Sequence, residues 1–293
     1  MSSSPLPRKR PRRKAAEAAE GKLSSDHVVL EAKTRLREGQ RLVVFSGAGL
    51  SVSAGVSTFA SLYQKAAKKY GGDGKQAFHY RFLQNSPEDS FDFLMQQFNK
   101  VKTAKPTWAH EALRNMETNG QLVRHYTMNI DGLAGSSEKV VELHGSLLQL
   151  VCRNCEQVTK TNDVLGKEKK RFDQLPPTCS KCKKGELRFR VLLYDDQEGH
   201  LITRVNALDT ILADDLKHCE WIVWVGASFE QSASCEHLRK MLQVRPEKTP
   251  VFIASPEASQ ALELLQTVVG EVEGLYALPM TSDDFFSGDE TAT

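Results

Sequence analysis

Residues 41–61, R-L-V-V-F-S-G-A-G-L-S-V-S-A-G-V-S-T-F-A-S, restrict the fold of this chain more than any other stretch. Leu42, Val43, Val44 and Phe45 are consecutive β-branched, aliphatic and aromatic residues, the pattern of a strand buried on both faces of a parallel sheet. The run stops at Gly47-Ala48-Gly49, where two missing side chains let a backbone approach a ligand, and Ser51, Ser53 and Ala54 resemble the start of a helix. A strand, a glycine turn and a helix N-terminus together present N–H groups to an anion, typically a nucleotide phosphate. The dinucleotide fingerprint G-x-G-x-x-G asks for a third glycine where this chain has Val52, so the glycines by themselves suit a tight turn without a ligand equally well.

The rest of the chain alternates strand and helix around this segment. A capped helix is expected over 24–38, followed by a helical insertion over 63–102, a helix over 106–119 and a strand over 122–127. That strand ends at Asn129 and Asp131, which are ordinary turn formers but also lie where open α/β sheets bind ligands. A short apolar run over 140–144 ends in His144-Gly145, where the histidine is a core or surface residue or, with its near-neutral pKa, a general base. Strands over 190–194, 221–225 and 251–255 then alternate with helices over 201–217, 234–242 and 257–266, and 282–293 reads as a loose acidic end. This return of strand and helix on both sides of an insertion points to one doubly wound parallel α/β sheet.

Four of the six cysteines form two pairs, Cys152-x-x-Cys155 and Cys179-x-x-Cys182, separated by 23 residues. Each pair keeps the gap that lets two thiolates reach one tetrahedral ion, and four thiolates leave no open position, so a structural zinc is expected, with free thiols as the alternative. From Cys152 to Arg190 there are eleven Lys or Arg against five Asp or Glu, a basic face that is merely solvated or that meets an acidic partner or DNA. No apolar run approaches the roughly 18 residues of a membrane helix, and the N-terminus lacks the apolar core of a secretory signal, so an intracellular protein without a membrane partner is expected. The net charge of +2 hides a basic block, Arg8, Lys9, Arg10, Arg12, Arg13 and Lys14, without which 33 basic residues face 37 acidic ones. With Pro5, Pro7 and Pro11 nearby, residues 1–23 are expected to be a disordered tail that is read by a nuclear importer, contacts DNA or is simply solvated.

Taken in order, the motifs resemble the sirtuin family of NAD-dependent protein deacylases. The resemblance runs through G-A-G-L-S-V-S-A-G-V at 47–56, K-P-T-W-A-H at 105–110, T-M-N-I-D-G-L at 127–133 and E-L-H-G-S at 142–146. It continues through the paired C-x-x-C knuckles, V-L-L-Y at 191–194 and V-G-A-S at 225–228. It implies a Rossmann-like doubly wound sheet formed by 24–60, 103–150 and 188–280, a small domain combining a helical insertion over 61–102 with a zinc ribbon over 151–187, and an acidic tail over 281–293. It further implies that NAD and an acyl-lysine protein, including histones or other nuclear proteins, enter the cleft between the two. His144 would draw a proton from a ribose hydroxyl while the acyl oxygen displaces nicotinamide. Gly47, Ala48, Gly49, Ser51, Gly55, Phe59, Asn129, Asp131, Gly226, Ala227 and Ser228 would hold the cofactor, and Cys152, Cys155, Cys179 and Cys182 the zinc.

The chain also departs from the family pattern. Where the family reads G-I-P-D-F-R, this sequence reads Gly55-Val56-Ser57-Thr58-Phe59-Ala60, which keeps the phenylalanine and drops the acid and the arginine. Met128 replaces a glutamine, and Asp195-Asp196 replace Gly-Glu after the substrate-facing strand. Losing the arginine removes a bidentate phosphate contact. The leading expectation is a nuclear deacylase with His144 as base; a non-catalytic NAD, ADP-ribose or acyl-peptide binding protein and a mono-ADP-ribosyl transferase are the alternatives.

Overall fold

The computed structural model describes residues 25–165, 175–203, 205–230 and 232–287. The basic tail, the middle of the metal ribbon and the last six residues lie outside that set.

In chain order the elements are α1 (Ser25–Arg37), β1 (Leu42–Ser46), a 3-10 helix (Ala48–Ala54), α2 (Phe59–Tyr70), α3 (Tyr80–Asn85), α4 (Pro87–Val101), α5 (Trp108–Thr118), β2 (Leu122–Thr127) and β3 (Val140–Glu142). There follow β4 (Gly145–Cys152), β5 (Val158–Lys160), α6 (Thr161–Leu165), β6 (Leu187–Val191), α7 (Val205–His218), β7 (Trp221–Val225), α8 (Ser232–Val244), β8 (Val251–Ala254), α9 (Ala258–Val269), β9 (Leu275–Leu278) and α10 (Ser282–Phe286). The principal sheet has the order β3-β2-β1-β7-β8-β9, with each neighbouring pair parallel. With β4, β5 and β6 set aside in a sheet of their own, this is the doubly wound order in which the strand sequence reverses beside β1.

Burial explains why β1 reads as an unbroken apolar run. Val43 and Phe45 join Ile222, Trp224, Val251 and Ile253 in a core covered by α7, α8 and α9. Leu42 and Val44 turn the other way, to join Val223, Val225 and Phe252 under α1, α5 and α10. Both faces are therefore dry, and alternation of polar and apolar residues along the strand would leave polar groups buried. Phe45 and Trp224 stack in the first core with centroids 4.3 Å apart and planes 4° from parallel.

The stretch 282–293, expected to be loose, instead begins with α10, in which Phe285 is fully buried and packs edge-on to Trp221 at 6.3 Å. Thr281 caps this helix by accepting the Asp284 N–H at 3.1 Å, so the acidic residues are first-turn helix residues, where the helix dipole favours them. Replacing Phe285 with alanine is expected to cost about 3–5 kcal/mol. Denaturant unfolding checks this, and a loss below about 1 kcal/mol would contradict the packing.

The helical segment and the metal ribbon, separate in sequence, share one core. The antiparallel sheet β5-β4-β6 contributes Leu150, Leu187, Phe189 and Val191, and α2 and α4 contribute Leu62, Phe91, Phe93 and Phe98. Phe91 meets Phe189 at 4.9 Å between centroids. The strand expected over 190–194 is shifted to Leu187–Val191 because its register is fixed by pairing with β4. The next residues leave that sheet, and Tyr194 exchanges backbone hydrogen bonds with Phe78 and Tyr80 at 2.8 and 2.9 Å.

Candidate active site and metal centre

The carboxyl ends of β1, β7 and β8 open into a cleft of about 960 Å³, within the size range of small-molecule sites. At its base two strand-end loops touch. A Cβ on Gly47 would lie 2.7 Å from the Gly226 carbonyl oxygen, and one on Gly49 would lie 2.5 Å from the Gly226 Cα. The two glycines are thus required by the close approach of backbone to backbone, rather than only by an approaching ligand. Gly226 itself has φ +64, the left-handed region that glycine enters without strain. The helix expected after the turn is a 3-10 helix, from which Gly47 and Gly49 donate to the carbonyls of Val225 and Gly226 at 3.0 and 2.9 Å.

Gly47, Ala48, Gly49, Phe59, His144, Gly226, Ala227 and Ser228 all line this cleft. Asn129 and Asp131 instead line a smaller adjoining cavity that shares Ala48 and Phe59 with the first. Both also act as turn residues: the Asn129 N–H donates to Thr127 Oγ1 at 3.1 Å, and Asp131 Oδ1 accepts from the Leu133 N–H at 2.8 Å. Two expected cofactor residues are placed elsewhere. Ser51 is fully buried behind the turn, where its Oγ accepts from Asn129 Nδ2 at 3.2 Å. Gly55 caps the 3-10 helix with φ +77 and lines neither cavity.

The cleft also contains residues that the motifs did not indicate. Ser255, Glu257 and Gln260 come from the end of β8 and the start of α9, and Thr281 to Asp284 from the start of α10. The first group follows from the rule that ligands bind at strand ends; the second required knowing that the C-terminal segment folds back. Ser282 Oγ is buried on this wall and finds no partner among the described residues. Such an orphaned hydroxyl suits a polar ligand group. Together with the partly exposed Ala48 and Gly49 of the turn, it makes the wall fit a nucleotide cofactor. The electrostatics fit less well: among the described residues no lysine or arginine lines the cleft, whereas Glu230, Glu257, Asp283 and Asp284 do.

His144 follows β3, half-buried. Its Nδ1 lies 3.1 Å from the Met128 carbonyl oxygen, and a carbonyl only accepts, so Nδ1 carries the proton and Nε2 the lone pair. Burial, reinforced by the neighbouring His237 ring and opposed by the Met128 carbonyl, pushes the imidazole down to about 4. The ring is therefore neutral at physiological pH and able to accept a proton. The contact with His237, 3.3 Å between the two Nε2 atoms, spans 93 residues of sequence and had no signal in any motif.

Asp196, one of the two unexpected acids after β6, is a structural residue. It is 1% exposed and forms a two-pronged ion pair with Arg188, itself 3% exposed, at 3.0 and 2.7 Å. It also accepts the N–H groups of Leu193 and Glu198. Asp195, by contrast, projects into solvent with His79 3.3 Å away.

The four cysteines of the ribbon converge, their sulfurs all within 4.8 Å of one another. Cys152 and Cys182 are 3.7 Å apart and Cys155 and Cys179 3.8 Å. Zinc–sulfur bonds of about 2.3 Å place the corners of a tetrahedron roughly 3.8 Å apart, so the set fits a structural zinc. The N–H groups of Asn154 and Cys155 point at Cys152 Sγ, and that of Gly185 at Cys182 Sγ, each at 3.4 Å, which stabilises thiolate charge. Gly185 is required here, since a Cβ would sit 2.6 Å from Cys152 Sγ.

Comparison with known proteins agrees with this geometry. The Sir2 family model matches residues 47–232, which includes the glycine turn, His144 and all four cysteines. The chain belongs to the Sir2 family. Relatives of this Sir2 protein include the NAD-dependent histone deacetylase HST4 of Saccharomyces cerevisiae, 31% identical over 67% of the chain, of whose length the match covers 61%. NAD-dependent protein deacetylase 2 of Caldanaerobacter subterraneus is 28% identical over 70% of the chain and 78% of its own length. Among solved structures, Sir2Tm bound to a propionylated peptide superposes with a TM-score of 0.63 at 20% identity, covering 90% of this chain and 96% of that one. A Sir2 complex with 2'-O-acetyl-ADP-ribose and a deacetylated p53 peptide gives 0.60 at 21% identity, covering 84% and 90%. These structural matches establish the shared sirtuin fold.

Proposed function

We propose that this chain is an NAD-dependent protein-lysine deacylase, which transfers the acyl group of a modified lysine to ADP-ribose and releases nicotinamide. The observation that carries the reading is the sharing of one cleft by His144 and the Gly47–Gly49 turn, at the point where the strand order reverses. NAD, when bound, supplies an electrophilic sugar carbon with nicotinamide as leaving group. In this assignment the Gly47–Gly49 turn lets the pyrophosphate approach at Ala48, Ser228 and Ser282 donate to ribose or phosphate oxygens, and Asn129 and Asp131 flank the nicotinamide end. Phe59, on the wall common to both cavities, shields that end from water. His144 Nε2 takes the proton of a ribose hydroxyl.

Rapid-mixing measurement of nicotinamide release tests the reading. Release that requires an acetyl-lysine peptide supports it, and release that leaves ADP-ribose on protein assigns the mono-ADP-ribosyl transferase alternative. Saturable NAD binding with no release supports the second reading, a binding protein, which is favoured by the lack of any described lysine or arginine on the cleft wall and by Ala60 in particular. Ala60 is exposed on that wall, and Thr58 caps α2, a position that aspartate also fills. The combined substitutions Thr58→Asp, Ala60→Arg and Met128→Gln are accordingly expected to raise kcat/KM at least about tenfold, the scale of one charge-assisted contact. A triple variant no faster than the parent would mean that these positions do not meet the cofactor.

The yeast relative is named as a histone deacetylase, and the block Arg8–Lys14 suits an importer or DNA; on these grounds we assign the protein to the nucleus, acting on histones or other nuclear proteins. A tagged chain lacking residues 1–14 that still concentrates in the nucleus would defeat the import role. Among the described residues no helix is long and apolar enough to cross a membrane.

A further inference from the structure

The proton-accepting nitrogen of His144 is already in use. His237, on α8, brings its Nε2 to 3.3 Å from the Nε2 of His144, with ring centroids 5.4 Å apart and planes tilted by 38°. The His144 proton is on Nδ1, held by the Met128 carbonyl, so Nε2 offers a single lone pair and the contact is a hydrogen bond only if His237 supplies the N–H. That fixes the second tautomer: His237 carries its proton on Nε2 and donates it. The local charges suit a neutral pair. Burial first, then the His237 ring, push His144 down to about 4, and burial followed by Lys240 does the same to His237. His144 lines the cleft whereas His237 does not, so the lone pair of the base is directed to a group outside the lining. Among the described residues this contact is also the one hydrogen bond of the His237 side chain.

We infer that His237 holds the base in a resting state, its N–H occupying the place that a ribose hydroxyl takes when, on the deacylase reading, the site turns over. The two donors compete for one lone pair. In the exchange the N–H···N hydrogen bond between the rings breaks and the hydroxyl donates to His144 Nε2 instead. The O–H bond then breaks, its electron pair stays on oxygen and the proton bonds to Nε2, so no further reactant is needed. The Met128 bond uses the other nitrogen and persists throughout, which keeps the reactive tautomer and gives the new imidazolium a carbonyl partner. His237 is half-exposed and gives up only this one bond, so its ring is free to turn toward water, where the N–H is satisfied again. Its departure also removes the part of the downward push on His144 that comes from the His237 ring. Neither ring is among the groups assigned to hold NAD, so the cost falls on the chemical step. The fraction of molecules with an open lone pair multiplies the rate.

Nitrogen-15 NMR of the imidazoles in the cofactor-free, zinc-loaded protein reads the contact without turnover. The expected pattern is a proton on Nδ1 of His144 and on Nε2 of His237, with the His144 Nε2 signal moving toward that of a bare imidazole nitrogen in His237→Leu. A proton on Nδ1 of His237, which leaves two lone pairs facing each other, would overturn the resting state and leave the deacylase reading standing. Single-turnover nicotinamide release with NAD and an acetyl-lysine peptide tests the consequence. His237→Leu, which removes the donor, is expected to release nicotinamide about two- to tenfold faster than the parent, the weight of one neutral hydrogen bond. His237→Gln, whose amide N–H reaches a similar place, is expected to stay near the parent rate, with NAD affinity by calorimetry unchanged in both variants. A leucine variant no faster than an active parent, or a glutamine variant as fast as the leucine one, would reduce His237 to a packing residue. No release from any of the three proteins would instead overturn the deacylase reading, and the displacement step with it.

Discussion

Substitution of His144 by alanine is expected to slow nicotinamide release by about 10²–10⁴-fold, the contribution of a positioned general base, while NAD binding changes little. The separation follows from the site. The side chain lines the cleft, but its hydrogen bonds run to Met128 and His237, neither of them among the groups assigned to hold the cofactor. Binding measured by calorimetry and release measured in a single turnover should therefore diverge in the variant. If both fall together, His144 supports the shape of the cleft and the base must be sought elsewhere. The sign of the pH dependence is also fixed. A base whose pKa is pushed down to about 4 is neutral throughout the physiological range, so activity should hold from neutrality down to mildly acidic pH and fall only as the ring becomes protonated.

Removal of the metal should have the larger structural effect. Structural zinc sites in small peptides contribute about 10–16 kcal/mol of apparent binding free energy at neutral pH. That equals or exceeds the roughly 5–15 kcal/mol total stability of most domains. Here the ion would join the end of β4 to the segment before β6, and those strands supply Leu150, Leu187 and Phe189 to the core shared with α2 and α4. Chelation, or Cys179→Ser with Cys182→Ser, is expected to abolish the cooperative unfolding of this part and expose Phe91 and Phe98 to solvent. Metal analysis, circular dichroism and dye binding check it. A metal-free protein that keeps its full unfolding transition, or a purified chain with well under one zinc per molecule, would contradict a structural zinc.

Much of the architecture was legible before any coordinates. The apolar runs of β1, β7 and β8 announce strands covered on both sides, and the cores on the two faces of the sheet show why no polar alternation is tolerated there. The paired cysteines announced one site, because a two-residue gap brings neighbouring thiolates to the same ion whatever the rest of the ribbon does. Other features depended on distant partners. The acids of 283–284 read as a solvated end, yet Phe285 beside them fills a hole against Trp221 that only the assembled sheet creates. Ser51 and Gly55 share a motif with Gly47 and Gly49, but the tight 3-10 turn buries the first and leaves the second as a cap. Asp196, which looked like an altered substrate contact, balances the buried Arg188.

The order of strands, glycine turns and thiolate pairs follows from the sequence, because each depends on residues within a few positions of one another and on local backbone sterics. The shape and charge of the cleft and the partner of the base do not. They arise where the ends of β1, β7 and β8, the start of α10 and a face of α8 meet, and contacts such as His144 with His237, 93 residues apart, exist only once the chain has closed those loops.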